Sequence, residues 1–135
     1  MAQLIDTTVL IDAERQGRSL SMLQELVPGE SIAVSSISAS ELLLGVERAD
    51  TLARRQQRLE YVNSILADIP VLPFDLDVAR VHARVSAHLL ATGQAIPQND
   101  VMIAATALTH GYAMLTHNLR HFERVPGLVV QRPDW

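Results

Sequence analysis

The chain has 135 residues, of which 48 % are hydrophobic, and it carries a formal net charge of −4 with no cysteine. This length suits one domain with a substantial core, and the composition excludes a largely disordered chain. Without cysteine there is no disulfide framework, iron–sulfur cluster or thiolate zinc site. Its apolar runs are too short to cross a bilayer and its start is not a basic signal peptide, so we expect a soluble, cytoplasmic protein.

Short apolar segments alternate with amphipathic ones along the chain. In chain order the predicted elements are strand 3–5, helix 8–14, helix 20–27, strand 32–34, helix 38–49, helix 51–66, strand 71–72, helix 75–90, a helix from 99 or 100 to 110, strand 112–116 and edge strand 128–130. This alternation predicts one α/β domain over residues 1–135. Its short-stranded, mostly parallel sheet is expected to be flanked by helices in three layers.

Three acidic residues lie within apolar runs: Asp6, Glu41 and Asp100. Each has an ordinary interpretation, because Asp6 can end a strand or cap a helix, and Asp100 can open one. Ser38 and Glu41 match a capping box, in which a Glu follows Ser by three positions. Several buried carboxylates, however, require neutralisation by basic groups or by a cation. Hard divalent cations prefer oxygen ligands, so the pattern also indicates metal-dependent phosphate chemistry.

The predicted topology brings these residues to one edge of the sheet. Asp6 follows the first strand and Asn118 follows the strand at 112–116, while Glu41 and Asp100 lie near helix starts. In parallel sheets the functional crevice lies at the carboxyl ends of the strands. We therefore expect the four side chains to face the same crevice.

Four segments in this order resemble the PIN-domain nucleases, and specifically the VapC-like ribonuclease toxins of bacterial type II toxin–antitoxin pairs. The segments are LIDTTVLI (4–11), SASELLLG (38–45), IPQNDVMIAA (96–105) and LTHNLRHF (115–122). The resemblance covers the whole chain. It implies an endoribonuclease of the PIN fold that depends on Mg²⁺ or Mn²⁺.

Residue by residue, the resemblance implies a metal site and its supporting groups. Asp6, Glu41 and Asp100 match the acidic positions that would hold the cation. Asn118 falls at a fourth catalytic position, where many members have Asp and some have Asn. Hydroxyl positions that support the cluster are matched by Thr7, Thr8 and Thr116.

The implied reaction is hydrolysis of an RNA phosphodiester by a metal-activated water, with Glu41 as the candidate proton acceptor. The products would carry a 5′-phosphate and a 3′-hydroxyl. The resemblance further implies a cognate antitoxin, a homodimer, and contact with DNA only through the antitoxin. An alternative is a non-catalytic PIN subunit of a DNA-binding regulatory complex, which the small size, acidity and Asn118 favour.

Other charged residues allow further interpretations. Arg120 and Arg124 are the preferred candidates for contact with RNA phosphates because they lie close to Asn118 in sequence. The arginine cluster at 54–58, which consists of Arg54, Arg55 and Arg58, is interpreted instead as a solvated helix face or a partner surface. His117 and His121 have zinc-ligand spacing but no evident third ligand, so a zinc site is disfavoured.

Overall fold

The computed structural model describes residues 1–134, so the predicted domain end at Trp135 lies outside the described residues. Within that range the chain forms five strands and seven helices. The strands are β1 (Gln3–Ile5), β2 (Ile32–Ser35), β3 (Val71–Leu72), β4 (Ala113–Leu115) and β5 (Val130–Gln131). The helices are α1 (Thr7–Arg15), α2 (Leu20–Glu25), α3 (Ser36–Glu47), α4 (Leu52–Asp68), α5 (Leu76–Ala91), α6 (Gln98–His110) and α7 (Leu119–Phe122).

The strands form one sheet in the order β3-β2-β1-β4-β5. Every pairing between neighbours is parallel, so the prediction of a mostly parallel sheet is confirmed. β1 lies at the centre, where Gln3 pairs with Ile32 on one side and with Ala113 on the other. The first and fourth strands are therefore neighbours, and residues distant in sequence meet at the end of β1.

Alternate residues of the central strands point to opposite faces of the sheet, because the side-chain period of a strand is two. Ile5 and Leu115 belong to a core with α1, α2, α3 and α4. Leu4 and Met114 belong to a second core with α5, α6 and α7. Both faces are thus covered by helices, which confirms the three-layer α/β/α architecture.

The start of α3 differs from the prediction. The helix begins at Ser36, and Ser35 is its N-cap, with its hydroxyl accepting a hydrogen bond from the Ser38 amide at 3.0 Å. The predicted capping box of Ser38 and Glu41 is therefore wrong. β2 runs directly into α3, and Ser35 supplies a cap three residues earlier than expected. Glu41 therefore has no capping role and lies in the second turn of α3.

Most other boundaries also move by one or two residues, and two of these shifts have a clear cause. α6 begins at Gln98 after Pro97, because proline is accommodated at a helix start. The last strand is Val130–Gln131 rather than 128–130, since its register is set by pairing with Met114 and Leu115. None of the helices formed by residues 1–134 combines the length and apolar character that a membrane crossing requires.

Candidate active site

The carboxyl ends of three adjacent strands form the floor of the candidate site. Asp6 follows β1, and its amide donates to the Leu115 carbonyl at 2.9 Å. Ser35 ends β2, and Thr116 follows β4. The central part of the sheet thus fixes the positions of these residues, as expected for a parallel α/β fold.

Asp6 is only 2 % exposed, and hydroxyl groups hold its carboxylate. Its Oδ2 accepts hydrogen bonds from Thr116 Oγ1 at 2.7 Å and from Thr8 Oγ1 at 2.8 Å. Asp6 occupies the N-cap position of α1 without making a side-chain capping bond. The carboxylate is therefore engaged with the site and does not serve chiefly as a helix cap.

The electrostatic environment of Asp6 disfavours its charge. Burial raises the pKa of Asp6, the hydroxyl hydrogen bonds lower it, and repulsion from Asp100 raises it. Within residues 1–134, no arginine or histidine forms an ion pair with Asp6. A positive charge beside Asp6 would offset both the free-energy cost of burying the carboxylate and its repulsion from Asp100.

Asp100 is held by a different group. It lies in the first turn of α6, and its Oδ2 is 2.7 Å from His121 Nδ1. The same ring nitrogen is 2.7 Å from the Asn118 amide group. One Nδ1 cannot donate to Asp100 and accept from Asn118 at once. We therefore place a proton on Nδ1, which donates it to the Asp100 carboxylate, and orient the Asn118 side chain so that its amide oxygen faces the ring.

Asn118 also connects Asp100 to Asp6. Its backbone amide donates to Thr116 Oγ1 at 2.9 Å, and that hydroxyl donates to Asp6 Oδ2. A continuous set of hydrogen bonds therefore runs from Asp6 through Thr116 and Asn118 to His121 and Asp100. These bonds bring together Asp6, which follows β1, Asp100 of α6 and Asn118, which follows β4.

Glu41 is linked to Thr7, the residue of α1 that follows Asp6. Its Oε1 accepts a hydrogen bond from Thr7 Oγ1 at 2.7 Å, and Thr7 Oγ1 lies 2.9 Å from Ser38 Oγ. Thr7 and Ser38 are buried, whereas Glu41 is half-buried. Thr7 therefore fixes the orientation of the Glu41 carboxylate.

The donor set fits a hard divalent cation in chemistry, because carboxylate, amide and hydroxyl oxygens dominate it. Asp6 and Asp100 are close enough for their charges to repel. Among the described residues, however, no three histidine, aspartate or glutamate side chains gather tightly enough to hold an ion. The hydrogen bonds of Glu41 to Thr7 and of Asp100 to His121 account for the orientation of those two carboxylates.

The two predicted RNA-contacting arginines have different surroundings. Arg120 is exposed on α7, whereas Arg124 Nη1 donates to the Ala95 carbonyl at 3.0 Å. The two histidines of the disfavoured zinc site contact separate carboxylates. His117 Nε2 is 3.1 Å from Asp12, and His121 is bound to Asp100.

Sequence reasoning missed the contacts of His121, Ser38 and Asp12 in this region. His121 follows Asn118 by three positions, which places both side chains at the same turn of α7. That spacing is visible in the sequence and could have indicated the contact between the two side chains. The Asp12–His117 contact joins residues 105 positions apart, so nothing local in the sequence indicated it.

The chain resembles known proteins over nearly its full length. A family model described as the PIN domain matches residues 4–128. Ribonuclease VapC1 of Rickettsia felis is 35 % identical over 130 residues, covering 96 % of this chain and 95 % of that protein. Ribonuclease VapC5 of Mycobacterium tuberculosis is 37 % identical over 117 residues, covering 87 % of this chain and 83 % of that protein.

A solved structure has the same arrangement of strands and helices. The crystal structure of DNA-bound VapBC from Salmonella typhimurium contains a chain that matches with a TM-score of 0.85 and 28 % identity, over 98 % of each chain. Since the matched segment spans both cores and all four predicted site positions, this chain belongs to the PIN domain family.

Proposed function

We propose that this protein is an RNA-cleaving hydrolase and the toxin of a type II toxin–antitoxin pair. The observation that carries the proposal is the buried carboxylate of Asp6. It is repelled by Asp100, and among residues 1–134 it has no basic partner. Its relatives named ribonuclease VapC support the same activity. The RNA substrate and a proteinaceous inhibitor both imply that the enzyme acts in the cytoplasm.

PIN-domain nucleases of the VapC type are generally dependent on divalent cations. We assign Mg²⁺ or Mn²⁺ to this chain, held by Asp6 and Asp100 with Glu41, because these ions prefer the oxygen donors of the crevice. When bound, the cation supplies Lewis-acid activation of water and neutralises charge on the phosphate.

The chain's own residues supply orientation and proton transfer. Thr8 and Thr116 fix the Asp6 carboxylate, and His121 fixes Asp100. Glu41 accepts the proton of the attacking water as the new P–O bond forms. The bond from phosphorus to the 3′-oxygen then breaks and the departing oxygen takes up a proton from solvent water, which leaves a 5′-phosphate on one product and a 3′-hydroxyl on the other.

Asn118 contributes to the site without a negative charge. Its amide contacts His121 and its backbone contacts Thr116, so it joins the supports of the two aspartates. An aspartate at this position would add repulsion to Asp6 and Asp100. Asn118 therefore favours a site of lower negative charge.

A cleavage assay with matched variants tests the activity. Purified protein is incubated with structured cellular RNA in Mg²⁺, in Mn²⁺ or in EDTA, and the 5′ ends of the products are mapped. Asp100→Asn should abolish cleavage, whereas Asp77→Asn, on the exposed first turn of α5, should retain it. Equal cleavage in EDTA, or by Asp100→Asn, would refute the proposal.

The partner proposal is a cognate antitoxin that contacts DNA on behalf of the pair, by analogy with the DNA-bound VapBC neighbour. Co-expression with the protein encoded beside this gene should abolish growth inhibition and yield a complex that binds promoter DNA. Toxicity that Asp6→Asn leaves intact would favour the non-catalytic regulatory alternative. The purified toxin alone should not bind that DNA.

We also propose a homodimer. Several large apolar side chains of the α3–α4 hairpin are exposed, and these are Leu43, Leu44, Leu52 and Leu59. Covering them in a two-fold interface would stabilise the fold. Sedimentation should give twice the monomer mass at micromolar concentration, and Leu44→Glu should shift it towards the monomer. A wild-type monomer at that concentration would refute this assembly.

A further inference from the structure

A cavity lined by arginines lies between α1 and α4, away from the carboxylates. It has a volume of about 460 Å³, and its lining from the described residues includes four arginines and one glutamate. The arginines are Arg15, Arg18, Arg54 and Arg58. A local excess of positive charge is unusual on a chain whose net charge is −4. We call this region the arginine pocket.

Hydrogen bonds within the chain orient several of these guanidinium groups. Arg58 Nη1 donates to the Gly45 carbonyl at 2.9 Å, which positions the group across the α3–α4 hairpin. Arg18 Nε donates to Gln16 at 2.9 Å. Each guanidinium has five N–H donors arranged in a planar fork that matches phosphate oxygens. Arg54 contributes less, because Asp50 pairs with it at 2.6 Å.

Smaller concavities connect the arginine pocket to the candidate active site. A second cavity, of about 160 Å³, shares Arg15 and Arg58 with the pocket and extends to Glu41. A third, of about 440 Å³, shares Arg15 and extends to Thr8, the hydroxyl donor to Asp6. Arg15 lines all three cavities, which also include Asp12 or Glu14, and we treat the cavities together as a groove along α1 between the candidate active site and the arginines.

Because Thr8 and Arg15 are seven positions apart on α1, this groove is about 10 Å long at 1.5 Å per helical residue. That length is more than one phosphodiester step, so a phosphate cleaved beside Asp6 and a phosphate held by Arg15 belong to different nucleotides of one strand. An acidic crevice repels the RNA backbone, and a positive anchor beside it offsets that repulsion.

From these observations we propose that the arginine pocket binds the RNA backbone outside the scissile phosphate and guides the strand along α1 to the carboxylates. The inference rests on the proposed ribonuclease function. It places an RNA-binding surface at the cluster 54–58, which the sequence interpretation assigned to solvent or a partner, and adds Arg15 and Arg18 of the neighbouring helix and loop. The ligand is a single-stranded phosphodiester chain, recognised through its phosphates and not through its bases.

The test is equilibrium binding of a labelled single-stranded RNA in EDTA, where cleavage cannot interfere. Arg15→Gln combined with Arg58→Gln should weaken binding roughly tenfold and lower the salt slope by about 0.7 for each phosphate that the variant no longer neutralises. Arg84→Gln is the matched control, because Arg84 is exposed on α5, which packs on the opposite face of the sheet. Thermal melts of all three proteins establish that each variant is folded.

Unchanged RNA affinity in the folded double variant would overturn the proposal. A polyglutamate peptide serves as a competitor: if it binds through Arg15 and Arg58 while RNA does not, the pocket serves an acidic protein segment instead. Cleavage by the wild type is measured separately in Mn²⁺. Cleavage without arginine-dependent binding refutes only this inference, whereas arginine-dependent binding without cleavage refutes only the proposed activity.

Discussion

Asp6 and Asp100 are held at the candidate site in different ways. Asp6 is 2 % exposed and bound by two hydroxyls, one of which follows the neighbouring strand. The Asp100 side chain is 18 % exposed and bound by His121 of α7. The sheet fixes the position of the Asp6 carboxylate, whereas the contact between α6 and the one-turn helix α7 determines the orientation of the Asp100 carboxylate. We therefore expect the Asp6 carboxylate to be the more rigid of the two and Asp100 to have more freedom to change its orientation.

The largest expected effect comes from the rigid half of the site. Asp6→Asn keeps the size and hydrogen-bond acceptor of the side chain but removes its charge. We expect kcat/KM for RNA cleavage to fall at least about 1000-fold, or roughly 4 kcal/mol of transition-state stabilisation. Single-turnover cleavage with saturating Mn²⁺ measures this loss. Activity within tenfold of the wild type would mean that Asp6 has only a structural role.

Thr116→Val tests the support of the rigid half with little change in side-chain shape. Thr116 donates to Asp6 and accepts from the Asn118 amide, so the substitution removes one of the two hydroxyl donors to Asp6 and leaves the Asn118 amide without this acceptor. We expect activity to fall about 10- to 100-fold and the free energy of unfolding to fall by about 1–3 kcal/mol. Denaturant unfolding and cleavage rates measure the two effects. Thr109→Val, which removes a hydroxyl bonded within α6, is the control.

His121→Leu tests the adjustable half. Removing the Nδ1 donor should allow the Asp100 carboxylate to rotate, which lowers the apparent Mn²⁺ affinity and the activity by about tenfold or more. Because His121 is partly exposed, we expect little change in the melting temperature without the cation. Mn²⁺ titration followed by thermal melting provides a readout other than cleavage. A loss of stability as large as that of Thr116→Val would remove the distinction between the halves.

The smallest expected effect concerns the charge of Asp6 without metal. Burial and the charge of Asp100 raise the pKa of Asp6, so Asp6 binds a proton more strongly in the folded state than in the unfolded state. The stability of the wild type should therefore fall as pH rises through this raised pKa, and be regained on acidification. Asp6→Asn should melt about 3 °C higher than the wild type at pH 7, with a smaller difference at pH 4. An equal difference at both pH values would contradict this cause.

The sequence predicted the structure well where the spacing of apolar residues was regular and where polar residues marked the ends of strands. The alternation of short apolar runs with amphipathic helices predicted the layers, and Asp6 and Asn118 were correctly placed after their strands. The start of α3 was missed because Ser35, Ser36 and Ser38 are all plausible caps, and only the length of β2 selects among them. Local propensity does not contain that information.

Within the site, the sequence indicated which residues meet but not what holds them. The resemblance to PIN domains indicated Thr116 as a supporting hydroxyl, and its bond to Asp6 follows from the pairing of β1 with β4. The contact of His121 with Asp100 depends on how α7 packs beside α6. The arginine pocket likewise combines α1 with α4, whose packing is determined by the whole core. Such contacts arise from tertiary structure and leave little trace in sequence spacing.

The central position of β1 has a consequence for synthesis of the protein. Asp6 is made 110 positions before Thr116, which follows the neighbouring strand β4 and whose hydroxyl donates a hydrogen bond to Asp6. Since the ribosome releases the chain from its amino end, this bond cannot form until β4 has emerged from the exit tunnel. A nascent nuclease of this topology would thus stay inactive beside the ribosomal and messenger RNA that surrounds it.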